Sequence, residues 1–121
     1  MVVADKYRCT GEYFLVFCEL VKAARHRGTV TYQEVADVVG MPTVGAHMGK
    51  EVGHLCGEIS EDEHKLGRPM LSAVVVGVDG TPGDGFFKLA EDLGKLAGGD
   101  DRVRFWREEQ SAVYKLWQRR F

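Results

Sequence analysis

The sequence predicts an α+β protein: a winged-helix-like unit of three helices with a small β-sheet, followed by two extra C-terminal helices. Three observations lead to this class. Apolar residues recur at helical spacing near both ends, a capped helix-turn-helix pattern occupies 31–57, and one β-branched run lies at 70–78. A chain of 121 residues fits one domain. We therefore divide it into a winged-helix-like unit at 1–97 and an amphipathic helix at 100–121.

The first predicted helix is capped by Thr10, reaches about His26 and is closed by Gly28. Its apolar residues recur at steps of three and four, which predicts a buried face. That face comprises Phe14, Leu15, Phe17, Cys18, Leu20, Val21 and Ala24. A short strand is expected at 29–31 because this triplet is β-branched.

The helix-turn-helix pattern begins with a T-x-x-E capping box formed by Thr31 and Glu34. It predicts one helix over 32–39 and a second over about 44–59, capped by Thr43. The expected core face of the second helix comprises Val44, Met48, Val52, Leu55 and Ile59.

Glycine recurs at every fourth position of this second helix. The four positions are Gly45, Gly49, Gly53 and Gly57. A glycine inside a helix costs up to about 1 kcal/mol relative to alanine, so the series needs a reason. The first interpretation is close packing of a neighbouring element, such as the last helix. The alternative is close approach of a phosphate backbone or a ligand.

The second half of the chain alternates polar connections with apolar elements. The charged run at 60–67 predicts a loop, and the β-branched run at 70–78 predicts a strand buried on both faces. A helix capped by Asp84 is expected to bury apolar residues as far as Leu96. The last helix begins at about residue 100, where two acids suit its N-terminus.

Charge divides the chain into an acidic middle and basic ends. The net charge is −2, with one Lys/Arg against four Asp/Glu in 31–60 and six against three in 101–121. Phosphate neutralisation dominates nucleic-acid affinity, so the acidic middle argues against DNA contact by the helix-turn-helix. The candidate nucleic-acid-binding residues are His47, Lys50, His54, Arg102, Arg104, Arg107, Arg119 and Arg120. The basic end of the first helix could join the last helix in one positive surface.

Few residues suggest catalysis or metal binding. The odd number of cysteines predicts free thiols, and the His/Cys spacing fits no common zinc pattern. We predict no catalytic residue, no metal and no cofactor. One small polar pocket is considered, formed by Arg68, Ser72 and Asp79. The short apolar runs predict no membrane span, and a cytoplasmic location is expected.

Four segments resemble a group of small bacterial and phage proteins of uncharacterised activity. They are TYQEVA at 31–36, RPMLSAVVV at 68–76, GTPGDGFF at 80–87 and FWREEQSAVYKLW at 105–117. This resemblance covers about three quarters of the chain and implies no activity.

The segments TYQEVADVVG, HMGKEVG and PMLSAVVVGVDG are similar, more distantly, to the DNA-binding domain of alkylguanine alkyltransferases and alkyltransferase-like proteins. The resemblance implies a shared fold but not the reaction. The family's reactive cysteine, its histidine partner and the following arginine correspond to Met70, Leu71 and Ser72. The arginine that helps to extrude the base falls near Ala46. The chain therefore lacks the nucleophile that alkyl transfer needs.

Three classes of function remain open after the sequence. The first is a non-enzymatic nucleic-acid-binding or regulatory module. The second is an accessory protein that binds a protein partner, or a second copy of itself, through the aromatic C-terminal helix. The third is a small enzyme that uses the pocket near Arg68 and Asp79.

Overall fold

The computed structural model describes residues 3–119 and confirms the α+β class. Its helices are α1 (Gly11–Arg25), α2 (Tyr32–Val38), α3 (Ala46–Lys65), α4 (Asp84–Asp92) and α5 (Arg102–Trp117). Two short strands, β1 (Val30–Thr31) and β2 (Val75–Val76), pair in parallel, with Val30 opposite Val75. No helix within residues 3–119 is both long and apolar enough to cross a membrane.

The centre of the fold is the apolar segment before β2. The predicted strand at 70–78 is wrong, because Leu71–Val74 forms a 3₁₀ helix and only Val75–Val76 is extended. Side chains, rather than neighbouring strands, satisfy its backbone. Ser60 Oγ accepts from Ser72 N–H at 3.0 Å, and a Glu109 carboxylate oxygen accepts from Met70 N–H at 3.0 Å. The continuous apolar run correctly indicated burial, but burial did not specify a strand.

Helix α1 buries only part of the predicted face. Leu20 and Ala24 are fully buried as predicted, and Val16, which was not in the predicted face, is fully buried with them. Phe14 and Leu15 remain 59 % and 54 % exposed, and Cys18 is exposed as well. The helix is apolar around most of its circumference, so periodicity alone could not select the stripe that faces the core.

The left-handed residue that ends α1 is Arg27, one residue before the expected Gly28. His26 is the C-cap, and Arg27 takes the left-handed conformation with a φ of 54°. Arg27 N–H donates to Ala24 O at 3.1 Å, and Gly28 N–H donates to Ala23 O at 2.9 Å. This is a Schellman motif, in which Gly28 follows the left-handed residue.

The start of α2 agrees with the sequence, but both ends of α3 differ. Thr31 and Glu34 form the predicted capping box, with bonds of 3.0 and 3.1 Å. Helix α3 starts after Gly45, at a φ of 94°, and Thr43 does not cap it. Val44 lies outside the helix and is 77 % exposed. The expected loop at 60–67 is instead largely the last turns of α3, because its charged residues find partners there.

Helices α4 and α5 complete the core. The N-cap of α4 is Gly83, not Asp84, and the buried residues of α4 include Phe86, Phe87, Leu89 and Ala90. Helix α5 docks against the 3₁₀ segment, where Trp106 Nε1 donates to Ala73 O at 2.8 Å. Tyr114 OH donates to Gly28 O at 2.8 Å and joins α5 to the end of α1.

Candidate functional site

Residues 3–8, which we call the N-terminal segment, lie along the acidic face of α3. The carboxylate of Glu58 accepts the backbone N–H groups of Lys6, Tyr7 and Arg8 at 3.0 to 3.1 Å. The Glu58 side chain is fully buried. A buried carboxylate is tolerated where several N–H groups satisfy its oxygens. The N-terminal segment therefore supplies the hydrogen-bond donors that the buried Glu58 carboxylate requires.

Arg8 adds a second set of contacts to the same face. Its guanidinium lies 2.6 Å from Glu61, 3.0 Å from Asp62 and 3.8 Å from Glu58. It also contacts Asp5 at 2.5 Å. A planar guanidinium can bind several carboxylates at once, so one side chain neutralises much of this acidic cluster.

Glu51 closes the near end of the cluster. It accepts hydrogen bonds from Lys6 Nζ and from Tyr7 OH, the latter at 2.5 Å. The bond from Lys6, followed by that from Tyr7, lowers the pKa of Glu51 from 4.5 to about 2. Glu51 and Glu58, which belong to the acidic middle of the sequence, are therefore bound by residues of the N-terminal segment. The net charge of 31–60 consequently does not describe the surface potential of α3.

Acidification is expected to weaken the attachment of the N-terminal segment. Because the folded-state pKa of Glu51 is depressed from 4.5 to about 2, its stabilisation is present above pH 4.5 and is lost as the pH falls towards 2. Side-chain carboxyl NMR titration of Glu51 checks this. Lys6→Met should raise the titration midpoint, whereas Lys50→Met, which removes a neighbouring exposed lysine, should not. A wild-type midpoint at 4.5 would contradict the prediction.

Gly49, Gly53 and Gly57 of α3 open onto a cavity, which Val3 of the N-terminal segment also borders. A Cβ at Gly49 or Gly53 would meet no heavy atom within 4 Å, and one at Gly57 would make only ordinary contacts with Val3 and Leu89 at 3.6 to 3.9 Å. Gly45 is the N-cap and lies outside the helix. The expected packing of the last helix against these glycines is wrong, because they border open space between α3 and the start of α4.

This cavity has a volume of about 440 Å³. Its walls are mostly apolar, and its polar lining groups include the side chains of Tyr32, Lys50, Cys56, Ser72 and Asp84. The Tyr32 hydroxyl lies only 2.6 Å from the position that a Cβ of Gly83 would occupy. The loop before α4 therefore requires glycine at position 83 to pass Tyr32.

Cys56 and Tyr32 in the cavity wall are both neutral near pH 7. Burial raises the pKa of the Cys56 thiol to about 12, so a thiolate nucleophile is not available there. Burial also raises the pKa of Tyr32. The Ser72 hydroxyl accepts from Ser60 Oγ at 2.6 Å. This arrangement suits binding of a planar or apolar group better than covalent chemistry.

The predicted residues of α3 divide between its two sides. His47 and Lys50 are exposed, and Lys50 lines the cavity. His54 belongs to the opposite side, with its Nε2 2.8 Å from Ala4 O and its ring edge-on to Tyr7. Of the three, Lys50 lines the cavity, whereas His47 is exposed near Glu51 and His54 contacts the N-terminal segment.

The predicted basic residues of α5 do not form one free surface. Arg102 pairs with Asp84 at 2.8 Å, and Arg104 pairs with Glu108 at 3.0 Å. Arg107 is exposed, with its guanidinium 5.4 Å from the ring centroid of Trp106. Arg119 lies elsewhere, beside the end of α1. Arg120 lies outside the described residues.

The three residues of the predicted polar pocket are held in separate local interactions. Arg68 pairs with Glu63 through two bonds of 2.7 and 2.8 Å. Asp79 is exposed and binds Thr81 through its own turn. Of the three, Ser72 lines the α3–α4 cavity. The enzymatic interpretation therefore loses the constellation on which it depended.

Sequence reasoning did not identify Tyr32 or the cavity. The usable signal was the energetic cost of Gly49 and Gly53, which marked these positions without showing that they border open space. Comparisons with protein-family models, curated proteins and solved structures return no significant match.

Proposed function

We propose that this protein is a non-enzymatic, winged-helix-like DNA-binding module that presents the cavity side of α3 to the duplex. One observation carries the proposal: Gly49 and Gly53 open onto empty space. Each costs up to about 1 kcal/mol relative to alanine in a helix, and no neighbouring group within 4 Å demands it. We attribute both glycines to an external partner that approaches the helix backbone through this open space.

The α3 wall of the cavity supports an anionic partner. Lys50 is exposed there, while Glu51, Glu58 and Asp62 bind the N-terminal segment on the other side. Helix α4 begins beside the cavity, its N-cap has no side-chain hydrogen bond, and the acid of its first turn, Asp84, is paired with Arg102 and Lys88. Helix N-termini favour phosphate groups. The DNA phosphate backbone would approach α3 closely at the glycines. Contacts with Lys50 and with this helix end would then position the strand.

The cavity itself suits a base extruded from the duplex. Its volume of about 440 Å³ falls within the range of about 300 to 1,000 Å³ typical of ligand pockets. Tyr32 offers a hydroxyl and an aromatic ring within mostly apolar walls, and extruded bases are bound by such groups. The resemblance to alkyltransferase-like DNA-binding domains supports DNA contact, whereas base extrusion is proposed from the cavity alone, because Ala46 stands near the position of that family's extruding arginine. Met70 at the position of the reactive cysteine makes binding without transfer the proposed outcome.

Filling the cavity is expected to remove DNA binding without harming the fold. The test uses duplexes that carry 2-aminopurine, whose fluorescence rises when the base leaves the stack. Wild-type protein should retard the duplex, more weakly as salt is raised, and should increase the fluorescence. Gly53→Leu should weaken binding about tenfold or more. Its thermal stability should not fall, because a helical glycine is replaced and the cavity has room.

Gly11→Leu is the matched control, because a Cβ at Gly11 also meets nothing within 4 Å but lies on α1. It should bind DNA like the wild type. Absence of retardation at low salt, or unchanged binding by Gly53→Leu, would overturn the proposal. Retardation without a fluorescence increase would overturn base extrusion and retain only DNA binding.

A further inference from the structure

A second concave surface lies between α1 and the end of α5. This α1–α5 groove has a volume of about 540 Å³. Its apolar wall is formed by Phe17, Cys18, Val21 and Trp117. The exposed ring of Phe14 lies one turn before Cys18 on α1 and extends this apolar surface.

The rim of the groove is basic. Lys22, Arg25, His26 and Arg119 line it and are exposed. Within residues 3–119, none of these four side chains forms an ion pair with a carboxylate. The arrangement differs from the rest of the surface, where Lys88, Lys95 and Arg102 are paired. Arg119 thus joins the basic end of α1 at this rim, whereas Arg102, Arg104 and Arg107 lie elsewhere.

We infer that the α1–α5 groove docks an acidic amphipathic segment of a partner protein. Along α1, the apolar residues come first and the cations follow in the last turn. An amphipathic helix with hydrophobic anchors on one face and Asp/Glu towards one end matches this order. The apolar wall receives the anchors, and the basic rim supplies electrostatic complementarity.

A nucleic-acid strand fits the same groove less well. Single strands are held by bases that stack on open aromatic faces. Here Phe17 and Trp117 lie edge-to-face with ring centroids 6.1 Å apart, and the Arg68 guanidinium is 6.0 Å from the Trp117 centroid. Both rings are also half-buried. The ring faces are therefore largely engaged within the protein, and the accessible wall favours aliphatic anchors.

The test measures binding of a labelled synthetic helix of about 14 residues, which spans four turns. It carries leucines on one face and glutamates near one end. The full-length protein should bind it, with chemical-shift changes confined to α1 and the last turn of α5. Lys22→Glu/Arg25→Glu should weaken binding about tenfold. Arg107→Glu/Lys115→Glu, with the same change of charge on exposed α5 residues outside the groove, should not.

Two altered peptides test the chemistry of the partner. Replacing the glutamates by lysines, or the leucines by serines, should abolish binding. Equal binding of either peptide, or no effect of Lys22→Glu/Arg25→Glu, would overturn the proposal. A single-stranded oligonucleotide that binds the groove when the acidic peptide does not would also overturn it. Gly53→Leu should leave peptide binding unchanged, which separates this surface from the proposed DNA site.

Discussion

Replacing Arg8 by methionine is expected to lower the free energy of unfolding by about 3 kcal/mol, since removal of one partner from a buried ion pair typically costs 3 to 5 kcal/mol. The Arg8 side chain is only 13 % exposed and contacts Glu61, whose side chain is 2 % exposed. Methionine retains much of the apolar stem but removes the cation nearest to Glu61, whose other cation, Lys65, lies 3.7 Å away. Chemical denaturation at neutral pH measures the loss.

Arg104→Met is the control for this substitution. Arg104 pairs with Glu108 four residues along α5, and the two side chains are 78 % and 67 % exposed. Such exposed pairs contribute about 0.3 to 0.5 kcal/mol. If Arg8→Met cost no more than Arg104→Met, the N-terminal segment would not be a structural part of the α3 surface.

The same substitution should also affect DNA binding. Without Arg8, the charges of Glu58, Glu61 and Asp62 are less neutralised, and the potential around α3 becomes more negative. Affinity for duplex DNA should therefore fall at low salt, although none of these residues lies on the cavity side. High salt should reduce the difference, because screening weakens distant electrostatic effects.

Trp106→Ala is expected to have the largest effect on stability. Loss of a large buried aromatic side chain typically costs about 3 to 5 kcal/mol, and Trp106 is 6 % exposed where α5 meets the 3₁₀ segment. The substitution also removes the bond from Trp106 Nε1 to Ala73 O. Denaturation monitored by circular dichroism should show both the loss and early melting of α5.

Two controls separate packing from hydrogen bonding at Trp106. Trp106→Phe should cost less, because a ring remains and Gln110 Nε2 still donates to Ala73 O at 3.2 Å. Val103→Ala removes an apolar side chain from the same helix at a site that is 53 % exposed, and it should change stability by no more than about 0.5 kcal/mol. Comparable losses for Trp106→Ala and Val103→Ala would mean that α5 is not docked as described.

Local chemistry was predictable wherever neighbouring residues decide the structure. Thr31 and Glu34 specify a capping box within four residues, and the structure contains it. Thr10 caps α1 in the same way, through its hydroxyl and Tyr13 N–H at 3.3 Å. In these cases the interacting groups are close in sequence.

The candidate site was only partly predictable. Gly49 and Gly53 were singled out by their cost in a helix, but whether they accommodate a neighbour or a cavity depends on where α4 passes. Lys50 was identified by its position on the predicted helix. Tyr32 was not identified, because in the sequence it is only the first residue of a helix, and its contact with Gly83 depends on the tertiary structure. The partial neutralisation of the negative charge on α3 depends on Arg8, which lies 50 residues before Glu58.

The sequence by itself determined the α+β class, most helices, the capping of α1 and α2 by Thr10 and Thr31, and the burial of the run at 70–76. These follow from side-chain periodicity and from contacts within a few residues. Only the tertiary structure decided that this run becomes a 3₁₀ segment, that the acids of α3 bind the N-terminal segment, and that Arg119 joins the basic end of α1 in one groove. Each depends on groups far apart in the chain, whose pairing is selected by how the whole core packs.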